Sequence, residues 1–408
     1  MKLFISTVFT MMILLVSLGT TSPKQQDEPS TTSFLSLYEN MILWLESHDG
    51  GYFNREKLEI QNTDPKNPKL AGIVAKADID PGESLMKVPK SCYIALEDHE
   101  VVPTPTEDEV DISYPYHWEN LCRISKKLAA ELKLDTSSKY APYISYLKSR
   151  DRRQIPTTWS AAGKGLLKKI INSNNDDGGD YGPLPPADMD FMEENMKGCI
   201  NDDDLMKFST EIVVTRGNDI HLIPVWDMMN HGTEGKININ STSVHSKEGV
   251  HVFAEKRIQK GEELYFDYYR CGDCNDTIKY WGTPEMMRDF GFVDNYPQNW
   301  IFLKQNISLY IYEEDDYLYA WWDEESHKPN AQQKQYLKYN LDRLLIMGDG
   351  YELYFNNTKD NAVIPSNEWN TIIQYYQAVV DALETVLEEA GEERVGIKIE
   401  SSSLDGEL

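Results

Sequence analysis

Apolar side chains recur at steps of three and four through residues 33–47, where Phe34, Leu37, Tyr38, Met41, Ile42 and Leu45 share one face. That period predicts an amphipathic helix turned toward a core. Ser33 stands as its N-cap, and Gly50-Gly51 ends it. The pattern then changes. Residues 70–75 form an apolar run, Asp80-Pro81-Gly82-Glu83 reads as a turn, and residues 84–89 continue as a second strand. Proline presets φ and glycine admits the bend, so the pair predicts a hairpin. Helical character returns between about residues 105 and 205, with helices predicted over 121–132 and 159–171. Residues 172–186, rich in Asn, Asp, Gly and Pro, predict a loop. Residues 208–269 hold three pieces: a buried segment ending in Thr215-Arg216, an apolar run through Pro224 to Asn230-His231, and a hairpin from Val250 into Tyr268. Residues 301–322 alternate and are aromatic, with Glu313-Glu314-Asp315-Asp316 as a solvated turn. Two helices close the pattern. The first, 331–347, carries Leu337, Leu341, Leu344 and Leu345 on one side. The second, 367–390, has an apolar stripe through Trp369, Ile372, Val379 and Leu383, with Ser366 as cap and Gly391 as stop.

With 408 residues, the chain can hold one large domain or two smaller ones. A formal net charge of -27 repels phosphates and excludes nonspecific nucleic-acid binding. The same charge fits a basic protein partner, or serves solubility alone. At the start, Lys2 precedes a mostly apolar run over 3–18, and Ser17-Leu18-Gly19 has the form of a cleavage site. This predicts a signal peptide over 1–19, a polar linker over 20–32 and no stable membrane span after cleavage. An uncleaved anchor is the alternative. Sequons at Asn240, Asn275, Asn306 and Asn356 agree with a glycoprotein of the secretory pathway. The terminal Asp405-Gly406-Glu407-Leu408 is a degenerate retention signal and points to the endoplasmic reticulum lumen. A plain acidic tail over 396–408 is the other reading. Of five cysteines at least one must be unpaired, and Cys271 with Cys274 predicts a local disulfide ahead of free thiols or a metal or redox site.

Thr215-Arg216, then Trp226-Asp227-Met228-Met229-Asn230-His231, then Gly261-Glu262-Glu263-Leu264 leading to Tyr268 resemble, in order and spacing, the later half of a SET-domain protein methyltransferase. The branch resembled contains the Rubisco large-subunit lysine methyltransferase and the actin histidine methyltransferase. The resemblance implies an α+β fold: a β-clip of short sheets with a pseudoknot over 33–300, a helical insert at about 105–205, and a mostly helical substrate-binding-like domain over 301–395. It implies S-adenosyl-L-methionine as cosubstrate, no metal, and a monomer acting on a protein. The target is a lysine of a non-histone protein, with histidine as the other option in that branch.

Such chemistry is an in-line displacement that needs alignment and oxygens around the methyl and amine, not a covalent nucleophile. A lysine with reference pKa about 10.4 costs roughly 4–5 kcal/mol to deprotonate at neutral pH, so burial near a phenol helps. By resemblance, Tyr268 is the catalytic tyrosine, and Asp227 faces the incoming amine. Gly72, Arg216, Asn230 and His231 hold the cosubstrate, while Thr215 and Phe290 shape the substrate pocket. Leu70 stands where the family has the first glycine of Gly-x-Gly, and Tyr269 where a glycine follows the tyrosine. A second Tyr-x-Gly at Tyr280-Trp281-Gly282 makes Tyr280 the alternative catalytic residue. A catalytically silent scaffold that binds peptides is the competing function.

Overall fold

The structure is a computed structural model describing residues 31–63, 71–102, 115–152, 154–172, 182–186, 199, 203–218, 220–233, 235–268, 281–322, 327–349 and 364–391. The leader, Leu70, Tyr269, Tyr280, Cys271, Cys274, two of the sequons and the C-terminal tail lie outside them.

Helix α1 (Thr31–Glu46) buries Tyr38, Met41, Ile42 and Leu45, the face its period marks. Five short strands follow: β1 (Tyr52–Phe53), β2 (Leu58–Asn62), β3 (Ala71–Ala75), β4 (Ser84–Val88) and β5 (Ile94–Ala95). Three helices come next: α2 (Pro115–Leu134), α3 (Ala141–Lys148) and α4 (Ala161–Ile171). The segment before Thr215-Arg216 is a helix, α5 (Asp204–Arg216), whose N-cap Asp203 accepts from the Leu205 amide. Then come β6 (Gly217–Asn218), β7 (His221–Leu222), β8 (Asn230–His231), β9 (Ile239–Ser241), β10 (Val250–Ala254) and β11 (Tyr265–Phe266).

The predicted hairpins do not form as such. β3 pairs with β2, whereas β4 lies between β1 and β10, and β9 extends the same sheet. The Asp80–Glu83 turn therefore passes the chain from one sheet to another. β10 and β11 also part company at the turn where Gly261 sits at φ 90°, a conformation that suits glycine. The residues after it bond to the second edge of β3: the Ala75 amide donates to the Glu262 carbonyl at 2.8 Å, and the Leu264 amide to the Ile73 carbonyl at 2.8 Å. Every residue of β3 is buried, and this double pairing is why. The chain then runs parallel to β8, with Tyr265 opposite Asn230 and Phe266 opposite His231. That short parallel crossing brings residues far apart in sequence to one place.

The C-terminal part follows α6 (Thr283–Phe290). Strands β12 (Gln298–Phe302), β13 (Ile307–Glu314) and β14 (Tyr317–Trp321) make an antiparallel meander. Helices α7 (Ala331–Asp349) and α8 (Ser366–Glu389) pack with it, so this region adds a sheet to the helices expected there. Ser366 is the first helical residue of α8 and makes no capping bond; Pro365 precedes the helix. Gly391 does end it, with φ 85°.

Two apolar cores result. One joins α1, β1–β5, α2, α3, α5, β7, β9 and β10. The other gathers α4, Met287 of α6, the meander, α7 and α8. Helix α4 thus crosses the expected boundary near residue 300 and packs with the C-terminal elements. The fully buried Glu368 of α8 fastens it there, accepting from the Ser160 amide at 2.9 Å and the Ser160 hydroxyl at 2.6 Å. A disulfide joins Cys122 of α2 to Cys199. Cys92 is a buried thiol, pushed up to about 12 by its burial, and so inert as a nucleophile. No helix among the described residues is long and apolar enough to cross a membrane.

Candidate active site

The β8–β11 crossing sets the site. The Asn230 side-chain amide donates to Glu263 Oε1 at 2.6 Å. The same oxygen lies against Gly72 of β3: a Cβ added there would stand 2.1 Å from Glu263 Oε1. The Tyr265 hydroxyl donates to the other carboxylate oxygen at 2.9 Å. Gly72 and Asn230, 158 residues apart by numbering (230 − 72), are thus both in contact with one acidic group. Asn238, 4% exposed, holds the same segment from its other flank, donating to the Glu263 carbonyl at 2.8 Å and accepting from the Tyr265 amide at 2.8 Å.

His231 and Tyr268 meet next to this group. The Tyr268 amide donates to His231 Nδ1 at 3.1 Å, and the ring centroids lie 5.3 Å apart. Burial pulls the imidazole down to about 4, so it is neutral at pH 7. Its 3.5 Å approach to Asp294 Oδ1 is therefore a dipolar contact and not an ion pair. Burial also raises the Tyr268 phenol well above its ordinary value. The hydroxyl keeps its proton and donates to the Met229 carbonyl at 2.8 Å. Phe290, at the end of α6, places its ring 4.8 Å from that of Tyr268, and Phe292 lies 6.2 Å from His231.

Behind Tyr268 sits a polar cluster. The Arg216 guanidinium donates to the Tyr146 hydroxyl at 2.7 Å and to the Asp227 carbonyl at 3.0 Å, and lies 3.7 Å from Asp227 Oδ2. The Tyr143 hydroxyl donates to Asp227 Oδ2 at 2.8 Å. Burial opposes the charge on Arg216, but Tyr146 and Asp227 outweigh it and keep the guanidinium cationic. Burial pushes Asp227 up to about 6, against the pull of Arg216 and Tyr143. Its side chain has no exposed surface, and Oδ1 has no hydrogen-bond partner among the described residues. Asp227 is therefore set behind the aromatic cluster, not open to solvent.

Of the residues marked by sequence, Gly72, Asn230, His231, Tyr268 and Phe290 surround the crossing, and Arg216 and Asp227 back it. Thr215 is on the last turn of α5 and spends its hydroxyl on the Glu211 carbonyl at 2.8 Å, within its own helix. Tyr280 lies outside the described residues. Three participants were not marked. Tyr143 and Tyr146 sit in Tyr140-Ala-Pro-Tyr-Ile-Ser-Tyr-Leu, a motif whose aromatic spacing on α3 sends both rings, stacked at 6.1 Å, toward Asp227 and Arg216. Glu263 stands inside Gly-Glu-Glu-Leu, one residue beyond the strand turn.

Residues 71–269 match the family model of the SET domain. Among solved structures, one described as the SET domain of LSMT bound to lysine and AdoHcy is 12% identical, covers 89% of this chain and 93% of its own, and gives a TM-score of 0.44. A structure of Rubisco LSMT bound to sinefungin and monomethyllysine is 12% identical, covers 86% and 92%, and gives 0.45. A third, Rubisco LSMT bound to AdoMet, is 11% identical, covers 89% and 93%, and gives 0.41. No protein of curated function matches the sequence. The matched span runs from β3, which carries Gly72, to the end of β11 and Tyr268, so the part of the chain that matches the SET domain encloses the crossing and the residues around it.

Proposed function

We propose that the protein is an S-adenosyl-L-methionine-dependent protein methyltransferase that acts on a lysine of a non-histone protein, with histidine as the other target chemistry. The observation that carries this is the meeting of Gly72, Asn230, His231 and Tyr268 at one crossing, the last with a buried, protonated phenol.

The residues present fit an amino-acid sulfonium. A bare backbone at Gly72, the Asn230 amide and the Glu263 carboxylate offer both donors and acceptors at one half-buried spot. When bound, S-adenosylmethionine supplies the methyl group. The work of the chain itself is positioning. Gly72 lets the ligand approach the backbone, and Asn230 and Glu263 orient its polar end. Tyr268 and the Met229 carbonyl provide oxygens near the attacking nitrogen and exclude water with Phe290. Arg216, Asp227, Tyr143 and Tyr146 fix Tyr268 from behind, and Asp227 acts through them as a positioning residue.

Glu263 already packs on Gly72 and Asn230, and this favours a second reading: a scaffold whose cosubstrate site is closed by its own side chain. Calorimetric titration of S-adenosylmethionine into the wild type and Asn230→Ala separates the two. Saturable binding, weakened in the variant, is expected, followed by methylated lysine or histidine in a protein extract given isotopically labelled donor. No binding to either protein would leave the scaffold.

The Cys122–Cys199 disulfide supports maturation in an oxidising compartment, in keeping with the secretory, endoplasmic-reticulum reading. A glycosidase-induced mobility shift of the cellular protein is the check.

A further inference from the structure

Tyr317, Tyr319 and Trp321 alternate along β14 and stand out from the protein, 65, 37 and 48% exposed. Leu318 and Ala320 between them turn inward against the second core. Across the ladder, Tyr310 of β13 faces Trp321 and Tyr312 faces Tyr319. The rings touch: Tyr310 lies 5.9 Å from Trp321, and Tyr312 is stacked on Tyr319 at 5.5 Å. The outer face of this hairpin is thus a continuous aromatic surface. Scattered exposed aromatics need no explanation, but a contiguous patch marks an interaction site.

The patch reaches the rim of its sheet, since no strand among the described residues pairs with the second edge of β14. Edge strands are usually blunted by lysine, proline or a bulge; β14 is Tyr-Leu-Tyr-Ala-Trp and carries no lysine or proline. The charge beside it has one sign. Glu313 and Glu314 end β13, Asp315 and Asp316 form the turn, and all four are exposed. No lysine or arginine occurs from 305 to 327. Aromatic faces next to carboxylates select a cation, whose head meets the acid while its alkyl stem covers a ring. A second copy of the chain is a poor occupant, because it would bring the same acidic turn and the same net charge of -27 against this one.

We propose that β14 docks an extended, lysine- and arginine-bearing segment of a partner polypeptide, added as a strand along the edge that no described strand pairs, with basic side chains over Tyr319 and Trp321. Backbone pairing along the edge gives affinity, and the alternating rings give the preference for basic residues at every second position. The inference stands whether or not the chain transfers methyl groups.

The test is calorimetry at near-physiological salt with a synthetic peptide alternating Lys or Arg with Val or Thr, beside a control carrying Glu in place of each basic residue. The full chain is compared with Tyr319→Thr/Trp321→Thr, which keeps every charge and a strand-favouring residue, and with Glu313→Gln/Glu314→Gln. The basic peptide is expected to bind the wild type, roughly tenfold more weakly to either variant, and the acidic peptide not at all. Equal binding by the aromatic variant means charge alone attracts the peptide and overturns the proposal. So does absence of binding to the wild type, or wild-type self-association that the aromatic substitutions abolish. Should the aromatic variant fail to fold, the acidic variant decides: unchanged affinity there overturns the proposal as well.

Discussion

Replacing Asp227 by asparagine tests the electrostatics behind Tyr268. Burial raises this carboxyl from 3.8 to about 6, although Arg216 lies 3.7 Å away and Tyr143 donates to it. The folded protein therefore holds the Asp227 proton more tightly than the unfolded chain does. At ~1.36 kcal/mol for each tenfold change in proton affinity, the difference amounts to ~3 kcal/mol. The sign follows from linkage. This contribution to stability is fully present below pH about 4, falls as pH rises through about 6, and is gone above that. An asparagine side chain has no proton to lose, so the Asp227→Asn chain lacks this term. Other groups titrate in the same range, among them Glu285, raised to about 7 by burial. They are common to both proteins and cancel in the difference. Urea unfolding of wild type and Asp227→Asn at several pH values should show the wild type losing ~3 kcal/mol relative to the variant between pH about 4 and about 7. A difference that stays flat across this range would mean that Asp227 is ionised without penalty, and the account of a carboxylate buried under Tyr143 and Arg216 would be wrong.

Tyr268→Phe removes the hydroxyl that meets the Met229 carbonyl; methyl-transfer turnover should fall roughly a hundredfold with cosubstrate affinity nearly unchanged, measured by labelled-methyl incorporation and calorimetry. Gly72→Ala would put a methyl group 2.1 Å from Glu263 Oε1, so S-adenosylmethionine binding should weaken by at least about tenfold, a loss of about 1.4 kcal/mol, in a titration. Glu368→Ala strips the carboxylate from the Ser160 amide and hydroxyl; denaturant unfolding should record a loss of about 3–6 kcal/mol, two hydrogen bonds to a carboxylate. Phe290→Tyr adds a hydroxyl to a ring 4.8 Å from Tyr268, and mass spectra of the product should shift toward fewer methyl groups per nitrogen.

The long helices were legible because one buried face imposes a period on many residues: α1 and α8 bury the stripes that the sequence marks. Strand positions were legible near Ala71 and Ser84 for the same reason, yet strand partners were not. A local turn such as Asp80-Pro81-Gly82-Glu83 says that the chain bends, not what lies beside it afterwards. β3 finds its second partner at Glu262–Leu264, and β8 and β11 are two residues each, too short to show any period. The site divides in the same way. Asn230-His231 and Tyr268 each sit in a compact run of distinctive residues. Tyr143 and Tyr146 reach Asp227 and Arg216 only because α3, packed in the first core, faces the end of α5 and the turn at Asp227.

The turn that aims the site also shows where local preference yields to burial. Val225, between Pro224 and Trp226, has φ 65° and ψ -42°, a conformation rare for a β-branched residue and expected to cost about 1–3 kcal/mol. Glycine, with no Cβ, would accept that geometry at lower cost. Valine holds it because the side chain is fully buried in the first core, and burying a side chain of this size returns about 1.5–3 kcal/mol. The strained turn is the step that sends Asp227 inward beneath Tyr143, leaves the Met229 carbonyl facing the Tyr268 hydroxyl and delivers Asn230 to Glu263. One residue thus couples the packing of the core to the direction of three groups at the crossing. Its identity alone could not announce this, because a valine after a proline in an apolar run reads as an ordinary extended residue.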